Sequence, residues 1–245
     1  MRELNKDSIN NPVITIVTIV FNKEKEIEST IQSVINQTYS NIEYIIIDGG
    51  STDKTLNIVN KYQNRIKKII SEKDNGIYDA MNKGINLATG SWINFMNAGD
   101  KFTDNDVLTK LPFLSSSNNV ILYGNKTKMG NIIYAESCDH LKYGEIMACH
   151  QSMFFNLHPN FKRSVIYKTR FLIYADYDLV NRLYLEYGNF KFVNVSIAIS
   201  EGGGISSSTS LQKRKDKYQI LYKSYGLKGI IRGIIFKVFR KTLFG

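Results

Sequence analysis

Short apolar runs alternate with amphipathic segments through the first hundred residues. The run at residues 13–20, VITIVTIV, is rich in β-branched side chains and too short for a buried helix, so it predicts a strand covered on both faces. Further strands are predicted at residues 42–48, 67–71 and 91–96. Strands that alternate with helices form a parallel sheet joined by right-handed crossovers, which predicts an α/β fold.

Three helices are predicted between these strands. Residues 24–37 carry apolar side chains at three- and four-residue spacings, which gives one apolar face on an otherwise polar helix. A second helix is expected around residues 56–62, with Ser51 or Thr52 as its N-cap. The third is expected over residues 76–90 and ends at a glycine.

The composition is that of a globular protein. The chain has 245 residues, of which 43% are hydrophobic and 22% charged, and this excludes disorder as the main state. The two cysteines, Cys138 and Cys149, form neither a disulfide framework nor a metal-ligand pattern and favour a reducing compartment. We find neither the order of a signal peptide in residues 1–11 nor an apolar run of the roughly 18 residues that a membrane span needs, so a cytoplasmic location is expected.

The net charge of +10 is concentrated at the C-terminus. Residues 211–245 contain ten Lys or Arg and the single acid Asp216, whereas the preceding residues are almost neutral. A Ser-rich stretch at residues 205–210 separates the two parts. We therefore expect one catalytic or binding domain over residues 1–205 and a basic helical tail over residues 206–245.

The tail is predicted to form an amphipathic helix. Such a helix can lie in the headgroup region of an anionic membrane, and we expect this peripheral association at the inner face of the cell membrane. Two other interpretations are a helix that docks on the protein's own core and a phosphate clamp for nucleic acid, although no RNA- or DNA-binding motif accompanies the charge and no nucleic-acid partner is expected. The side chains predicted to share the apolar side are Leu227, Ile230, Ile231, Ile234 and Val238.

Acidic and amide side chains follow the predicted strands. In an open parallel sheet, ligands bind beyond the carboxyl ends of the strands, where these loops meet. Carboxylates there suit ribose hydroxyls, base N–H groups or a hard cation. The four loops cover residues 21–23, 48–51, 72–76 and 97–100.

Two common nucleotide-binding motifs are missing. The first turn, Phe21-Asn22-Lys23-Glu24, lacks the Gly-x-Gly-x-x-Gly that a dinucleotide-binding fold needs for its pyrophosphate. The chain also lacks a Walker sequence. A nucleotide is therefore expected to bind through the acidic loops, with or without a metal ion.

Two long segments carry a family resemblance. Residues 17–55, beginning VTIVFNKEKEIES and ending IEYIIIDGGSTDKT, precede residues 72–100, EKDNGIYDAMNKGINLATGSWINFMNAGD. Together they resemble the inverting family 2 glycosyltransferases of GT-A fold, most of all bacterial enzymes that build capsule, exopolysaccharide or O-antigen chains. The resemblance covers about residues 12–205 and leaves out the tail.

The resemblance implies a set of residues that contact a nucleotide sugar. It also implies a fold with a mainly parallel central sheet flanked by helices. The implied nucleotide contacts are Thr18, Phe21 and Asn22 in the first loop, Asp48 after the second strand, and Asp74 and Asn82 in the block after the third.

The metal motif of the family is altered here. Asn97-Ala98-Gly99-Asp100 occupies the position of Asp-x-Asp, with Asn97 and Gly99 in place of the two aspartates. The resemblance implies Mg²⁺ or Mn²⁺ bound by Asp100, with Asn97 as a neutral ligand. His150, in a His-Gln pair before a predicted strand, is either a donor-phosphate or acceptor contact or a structural histidine.

Asp176 occupies the position of the family's catalytic base. Ala175 replaces the glutamate that usually precedes it. Asp178 is two residues further on, about 200° around a helix, so the two carboxylates face different directions, and Asp178 is expected to favour the helix start. The glycines at residues 202–204 match a loop that the family places near its active site.

These residues imply an inverting transfer of a sugar from a nucleotide donor to a hydroxyl of a lipid-linked glycan. The implication requires that Asp48, Asp100 and Asp176 meet at one edge of the sheet. Two alternatives stay open: a nucleotide-binding regulatory protein that keeps the fold without activity, and a nucleic-acid-binding protein that uses the tail.

Overall fold

The computed structural model describes residues 11–200 and 211–244, which form one sheet with helices on both faces. The glycines at 202–204 and the Ser-rich stretch at 205–210 lie outside the described residues. The strands of the described part are β1 (Ile14–Val20), β2 (Ile42–Asp48), β3 (Lys68–Ser71), β4 (Trp92–Phe95), β5 (Lys101–Phe102), β6 (Ile121–Lys128), β7 (Asn131–Ile133), β8 (Met153–Asn156) and β9 (Phe190–Ile199).

The helices lie between and after these strands. The short α4 begins with a proline at its first turn, where the missing N–H costs nothing. Short 3-10 helices occupy several connections, among them His150–Ser152 directly before β8. The α-helices are α1 (Ile27–Ile35), α2 (Thr55–Lys61), α3 (Ile77–Leu87), α4 (Pro159–Lys162), α5 (Ala175–Tyr187) and α6 (Leu211–Phe244).

The first half of the sheet is parallel, as predicted. Strands β3, β2, β1 and β4 are neighbours in that order, and Val17 of β1 pairs with Ile45 of β2 and Phe95 of β4. Every residue of β1 is buried, since one core cluster covers each face. Burial on both faces explains the continuous apolar runs from which these strands were predicted.

The second half of the sheet is mixed. β8 runs antiparallel to β4, β6 runs antiparallel to β8 and parallel to β9, and β5 and β7 form antiparallel edges. The sheet is therefore parallel in the half for which the sequence predicted strands in order. In the mixed half the sequence analysis predicted only the strand at β8.

The helix predictions are confirmed in place, but several of their ends differ. α1 spans Ile27–Ile35 rather than residues 24–37. The N-cap of α2 is Lys54, and the carboxylate of Asp53 accepts from the Thr55 N–H, whereas Ser51 is engaged by the Asp48 carboxylate instead. α3 ends at Leu87 rather than at residue 90. Gly90 lies against β1, where a Cβ would meet Thr15.

The first arm of α6, residues 211–225, belongs to the body of the protein. Ile220 and Leu221 are buried in the core, and the Tyr225 hydroxyl donates to Asn181 of α5. Asp216, the single acid of the tail, is buried and accepts from the Ile173 N–H. The boundary predicted at residue 205 therefore does not separate the first arm from the fold, because an amphipathic helix hides its apolar side wherever a core accepts it.

The second arm of α6, residues 227–244, follows a break at Gly226, whose φ of 65° is outside the helical region. One side of this arm contacts the body: the Phe236 ring stacks on Tyr143 at 4.5 Å, and Arg240 forms an ion pair with Glu136. Ile230, predicted to share the outer apolar side, packs against the core instead.

The other side of the second arm is apolar and exposed, and we call it the outer stripe. Its spacings of three and four residues keep its members on one face of the helix. Within the described residues, no helix is long and apolar enough to cross a bilayer. The members of the outer stripe are Leu227, Ile231, Ile234, Ile235, Val238 and Phe239.

The two arms predict different responses to truncation of an apolar side chain. Leu221→Ala is expected to lower the free energy of unfolding by about 2 to 5 kcal/mol, because it leaves a cavity in the core. Ile234→Ala on the outer stripe serves as the control and is expected to change it by less than about 0.5 kcal/mol. Urea denaturation measures both, and equal effects would contradict the division of the helix.

Candidate active site

The candidate site lies at the carboxyl edge of the parallel strands. Val20, the last residue of β1, pairs with Asp48 at the end of β2, and Asp48 pairs with Ser71 at the end of β3. The loop after β4, with Asn97 and Asp100, starts at the same edge. The predicted convergence of the strand ends is therefore observed.

Asp48 holds this edge together from inside. The residue is fully buried, and its carboxylate accepts from the N–H groups of Gly50 and Ser51 and from the hydroxyls of Ser51 and Ser71. Both oxygens are thus bonded within the protein. The predicted contact between Asp48 and a base or ribose is not supported by this arrangement, in which the carboxylate organises the loop.

Thr18 is also turned inward. Its side chain is fully buried, its hydroxyl donates to the Met96 carbonyl at 2.8 Å and it shares a hydrogen bond of 2.9 Å with the Tyr44 hydroxyl. The hydroxyl is thus engaged within the protein, and a nucleotide contact of Thr18 stays a prediction. The threonine lies two positions before the strand end, inside the paired part of β1.

The loops after β1 and β2 interlock. Asn22 adopts a φ of 49°, and its side-chain oxygen accepts from the Thr52 N–H, while its own N–H donates to the Ser51 hydroxyl. Phe21, beside it, is 57% exposed and presents its ring at the edge of the sheet. The side chain of Phe21 is therefore free to contact a ligand, and Asn22 shapes the loop that carries it.

Asp74 approaches the backbone of the β2 loop. A Cβ on Gly49 would lie 2.6 Å from the Asp74 side-chain oxygen Oδ2, so a glycine is required at that position for this approach. The other oxygen of Asp74 accepts from the Gly76 N–H, directly before α3. Asp74 thus joins Phe21 and Asn22 at one end of the candidate site.

Asn82 differs from its prediction. Its amide donates to the Tyr167 carbonyl and accepts from the Tyr167 N–H, both at 2.9 Å. The side chain therefore imitates a strand partner and holds the segment before α5. Both ends of the amide are engaged in this structural role, and the nucleotide contact of Asn82 stays a prediction.

Three residues from distant parts of the chain form the centre of the site. The His150 ring nitrogen Nε2 lies 2.9 Å from the Asn97 amide nitrogen, and its Nδ1 lies 3.4 Å from the Asp176 carboxylate. We call Asn97, His150 and Asp176 the central cluster. The Asn97 amide nitrogen can only donate, so this arrangement corresponds to a histidine whose Nδ1–H faces Asp176.

The central cluster contains buried polar atoms that have no hydrogen-bond partner within the described residues. They are one oxygen of Asp176, the side-chain oxygen of Asn97 and the nearby Tyr167 hydroxyl. A buried polar atom without a partner costs about 1 to 3 kcal/mol. The Tyr167 hydroxyl and the Asp176 carboxylate lie near each other, and burial together with that carboxylate raises the pKa of Tyr167. The Asn97 oxygen and this pair thus retain hydrogen-bonding capacity for a polar ligand.

Electrostatics tie the cluster together. Burial by itself lowers the pKa of the His150 imidazole, but the carboxylates of Asp176 and Asp100 outweigh that effect and raise it above its ordinary value. The Tyr78 hydroxyl lies 3.4 Å from Asp176, and burial together with that carboxylate raises the tyrosine pKa. Tyr78 therefore stays protonated, and its hydroxyl donates to the Ile173 carbonyl at 2.8 Å with Asp176 as the more distant second acceptor.

Asp100 lies beside the cluster and does not by itself make a metal centre. One of its oxygens accepts from the Gln151 amide at 2.5 Å, and Gln151 follows His150 in the chain. The described residues contain no group of three His, Cys, Asp or Glu side chains that could hold a metal ion. One carboxylate that is already bonded does not fit a resident Mg²⁺ or Mn²⁺, and the role of Asp100 as a metal ligand stays a prediction.

Asp178 faces away from Asp176, as expected from the helical angle. It lies in the first turn of α5, and its buried carboxylate forms ion pairs with Arg182 at 2.7 Å and with Lys168 at 3.3 Å. Asp178 is therefore a buried ion-pair partner. The sequence did not predict the pair with Lys168, because that lysine lies outside the helix.

Sequence reasoning missed several residues of the site. Tyr78 and Tyr167 lie inside helical or irregular segments with no motif of their own, and only the fold brings their hydroxyls to Asp176. Gln151 had one signal in the sequence, since it directly follows His150 in the His-Gln pair.

The inward orientation of Thr18 can be tested by its stability. Thr18→Val keeps the side-chain shape and removes the hydroxyl, which leaves the Met96 carbonyl without its donor, so the free energy of unfolding is expected to fall by about 1 to 3 kcal/mol. Thr18→Ser retains the hydroxyl and serves as the control. Chemical denaturation measures the change, and a Thr18→Val protein as stable as the parent would refute the inward role.

Comparison with solved structures identifies the fold. TarS from S. aureus in complex with UDP-GlcNAc superposes with a TM-score of 0.69 at 16% identity, covering 85% of this chain and 64% of that one. The mannosyltransferase PcManGT from Pyrobaculum calidifontis, in complex with GDP-Man and Mn²⁺, gives 0.62 at 12% identity over 96% of this chain and 76% of that one. The chain spans less than two thirds of the TarS chain, and the predicted GT-A fold is confirmed.

Sequence comparison gives the family. A PGL/p-HBAD biosynthesis glycosyltransferase of Mycobacterium bovis is 28% identical over 210 residues, which is 80% of each chain. The model of the family described as "Glycosyl transferase family 2" matches residues 15–161, more than half of the chain. The chain therefore belongs to glycosyl transferase family 2 and is a glycosyltransferase.

Proposed function

We propose that the protein moves a sugar from a nucleotide-diphosphate donor to a hydroxyl group of an acceptor, with Asp176 as the general base. The observation that carries the proposal is the buried Asp176 oxygen without a hydrogen-bond partner within the described residues, in a cluster at the carboxyl edge of the sheet. A carboxylate held in this way can accept the proton of an incoming hydroxyl as the new bond forms. Displacement in one step, with inversion, needs no second carboxylate.

The donor nucleotide is assigned to the end of the site formed by Phe21, Asn22 and Asp74. The exposed Phe21 ring offers a face on which a base can stack, and Asp74 offers acceptors for hydroxyl or N–H groups. The structural neighbours support a nucleotide sugar as the donor of this protein, because TarS was solved with UDP-GlcNAc and PcManGT with GDP-Man.

His150 is assigned to the departing diphosphate. Negative charge grows on the leaving group in the transition state, and a nearby cation or hydrogen-bond donor lowers its energy. The raised pKa of His150 favours the charged imidazolium when an anion is bound beside it. In that form Nε2 donates as well, so the Asn97 amide presents its oxygen to the ring instead of its nitrogen. Asp176 and His150 thus act on the two ends of the displacement, while Asn97 orients the imidazole between them.

The acceptor substrate is expected at a membrane surface. The outer stripe carries six exposed apolar side chains, and the exposed Lys228, Arg232 and Lys237 flank it. Such a helix can lie in the headgroup region of an anionic bilayer. This supports a peripheral protein at the inner face of the cell membrane that extends a lipid-linked glycan in surface polysaccharide synthesis.

The intact central cluster favours catalysis over the regulatory alternative, since a protein that only binds a nucleotide has no need of a carboxylate that keeps one oxygen available beside a histidine. The apolar character of the outer stripe likewise favours a membrane over a nucleic acid. A phosphate clamp requires basic side chains towards the ligand, where this helix has six apolar ones.

Asp176→Asn tests the assignment of the base. The variant keeps the size of the side chain and loses the proton acceptor, so transfer is expected to fall by about 10² to 10⁴-fold with donor binding retained. Binding is followed by thermal shift against UDP-, GDP-, TDP- and CMP-sugars, since a ligand that binds only the folded form raises its stability. Transfer is then measured with the donor that binds.

The matched control is Glu186→Gln on the same helix, where the carboxylate accepts from the Ser164 hydroxyl at the surface, away from the central cluster. This variant is expected to transfer sugar at the parent rate. Near-normal turnover of Asp176→Asn would remove Asp176 from the role of base, and loss of donor binding would point to a misfolded site.

The outer stripe predicts binding to anionic vesicles. Replacement of Ile231, Ile234 and Val238 by serine is expected to weaken binding to phosphatidylglycerol vesicles by more than about tenfold, because each buried methylene contributes about 0.8 kcal/mol. Leu185→Ser, an exposed apolar change on α5, is the control. Co-sedimentation measures both, and unchanged binding of the triple variant would count against the membrane assignment. Removal of the whole tail is unsuitable, since the first arm belongs to the core.

A further inference from the structure

A pocket of about 210 Å³ lies beside the central cluster, and none of its lining residues belongs to the proposed donor site or to the central cluster. It is bounded by β6, by β7 with the residues that follow it, and by the segment that leads to His150. Most of its wall is apolar, and its polar lining residues are Lys126, Glu136 and Cys149. The apolar lining side chains are Ile133, Tyr134, Ala135, Ile146, Met147 and Ala148.

The pocket is on the acceptor side of the site. One of its lining residues is Cys149, which directly precedes His150. The loops assigned to the nucleotide follow β1, β2 and β3, whereas the pocket lies across β4 and β8 at β6. In a single displacement the acceptor hydroxyl enters opposite the departing nucleotide, so an acceptor approaches from the direction of the pocket.

Lys126 supplies a positive charge at the junction between the pocket and the cluster. Within the described residues it has neither a carboxylate within 4 Å nor a side-chain hydrogen bond. Lys126 and Cys149 line the same pocket. Burial raises the pKa of the Cys149 thiol, and the charge of Lys126 partly opposes that shift. Glu136, the carboxylate of the pocket, is already paired with Arg240 and His140. An anion entering the pocket therefore meets Lys126 as an available cation.

The hairpin of β6 and β7 extends the pocket wall outwards as an apolar surface. Met129, Ile132, Ile133 and Tyr134 are all exposed there, although strands at a sheet edge usually present polar side chains. The adjoining segment, which contains Glu136 and Tyr143, carries the second arm of α6. The pocket thus lies between the catalytic cluster and two neighbouring apolar surfaces.

We infer that this pocket and Lys126 bind the lipid phosphate of the acceptor: Lys126 pairs with the phosphate group, and the apolar wall receives the first part of the lipid chain. This inference rests on the proposed function and names the substrate class of the same site. Pockets that enclose a whole drug-sized ligand measure about 300 to 1,000 Å³. The smaller volume here holds only the near end of a chain, and the remainder crosses the exposed hairpin towards the bilayer.

The experiment titrates the full chain with decyl phosphate below its micelle concentration and follows binding by NMR chemical shifts. Decyl glucoside supplies the same chain without the charge, and inorganic phosphate supplies the charge without the chain. Decyl phosphate is expected to bind more tightly than either, with shifts at residues of the pocket. Equal binding of the phosphate and the glucoside would overturn the role of Lys126.

Matched variants separate the two contacts. Lys126→Met is expected to weaken decyl phosphate by about fivefold and to leave decyl glucoside unchanged, whereas Lys128→Met, at an exposed lysine on the same strand, changes neither. Ala148→Phe fills the pocket and is expected to weaken both amphiphiles by about tenfold, with Ala135→Phe as a second filling variant. Unchanged affinity in both filled variants that remain folded would overturn the inference.

Two further measurements distinguish the acceptor lipid from a membrane phospholipid, and failure of the pocket inference from failure of the proposed function. Dihexanoyl phosphatidylglycerol, also below its micelle concentration, is expected to bind less tightly than decyl phosphate, and equal or tighter binding would assign the pocket to a membrane phospholipid and overturn the acceptor site. Asp176→Asn is expected to bind decyl phosphate as the parent does. Failure of decyl phosphate to bind while Asp176→Asn abolishes transfer would overturn the pocket inference alone.

Discussion

Parallel pairing of β1 with β2 and β4 is the constraint on which the site depends. Parallel strands all end at the same edge of a sheet, so the loops that follow them must meet there, however far apart they are in the chain. Residues 21, 48 and 97 reach that edge through the register of three strands. The antiparallel β8 then returns beside β4 and starts at the same edge, which brings His150 next to Asn97.

The same chemical group has two different tasks at this edge. Asp48 accepts hydrogen bonds from two backbone N–H groups and two hydroxyls, so its carboxylate is spent on holding the loops. Asp176 has one oxygen near His150 and Tyr78 and the other buried without a partner within the described residues. A fully bonded carboxylate such as Asp48 stabilises the structure, whereas a partly bonded one such as Asp176 retains the capacity to accept a proton. The hydrogen bonds of Asp48 therefore offset part of the stability that the incomplete bonding of Asp176 costs.

The C-terminal helix combines two surfaces that usually belong to different classes of helix. Its first arm is an ordinary core helix, with Ile220 and Leu221 buried and Asp216 bonded inside. Gly226 breaks the helical geometry, and Gly233 lets the second arm approach Tyr143 closely enough for a Cβ to meet the Tyr143 carbonyl at 3.2 Å. The second arm is thereby held on the body while its outer stripe stays in solvent. The protein can thus present an apolar surface in a fixed position relative to its active site.

The sequence by itself determined the parallel half of the sheet, the three helices between its strands and the edge at which the site lies, because apolar periodicity reflects burial directly. It also determined that Asp176 and Asp178 diverge, since that follows from the helical angle alone. Only the tertiary structure decided which polar side chains at the edge are available: Thr18 and Asn82 fit the family pattern equally well, yet both are engaged by neighbours far away in the chain. Hydrogen-bond partners such as Met96 and Tyr167 leave no local trace in the sequence, and for this reason the identity of a free carboxylate or hydroxyl is fixed by packing rather than by pattern.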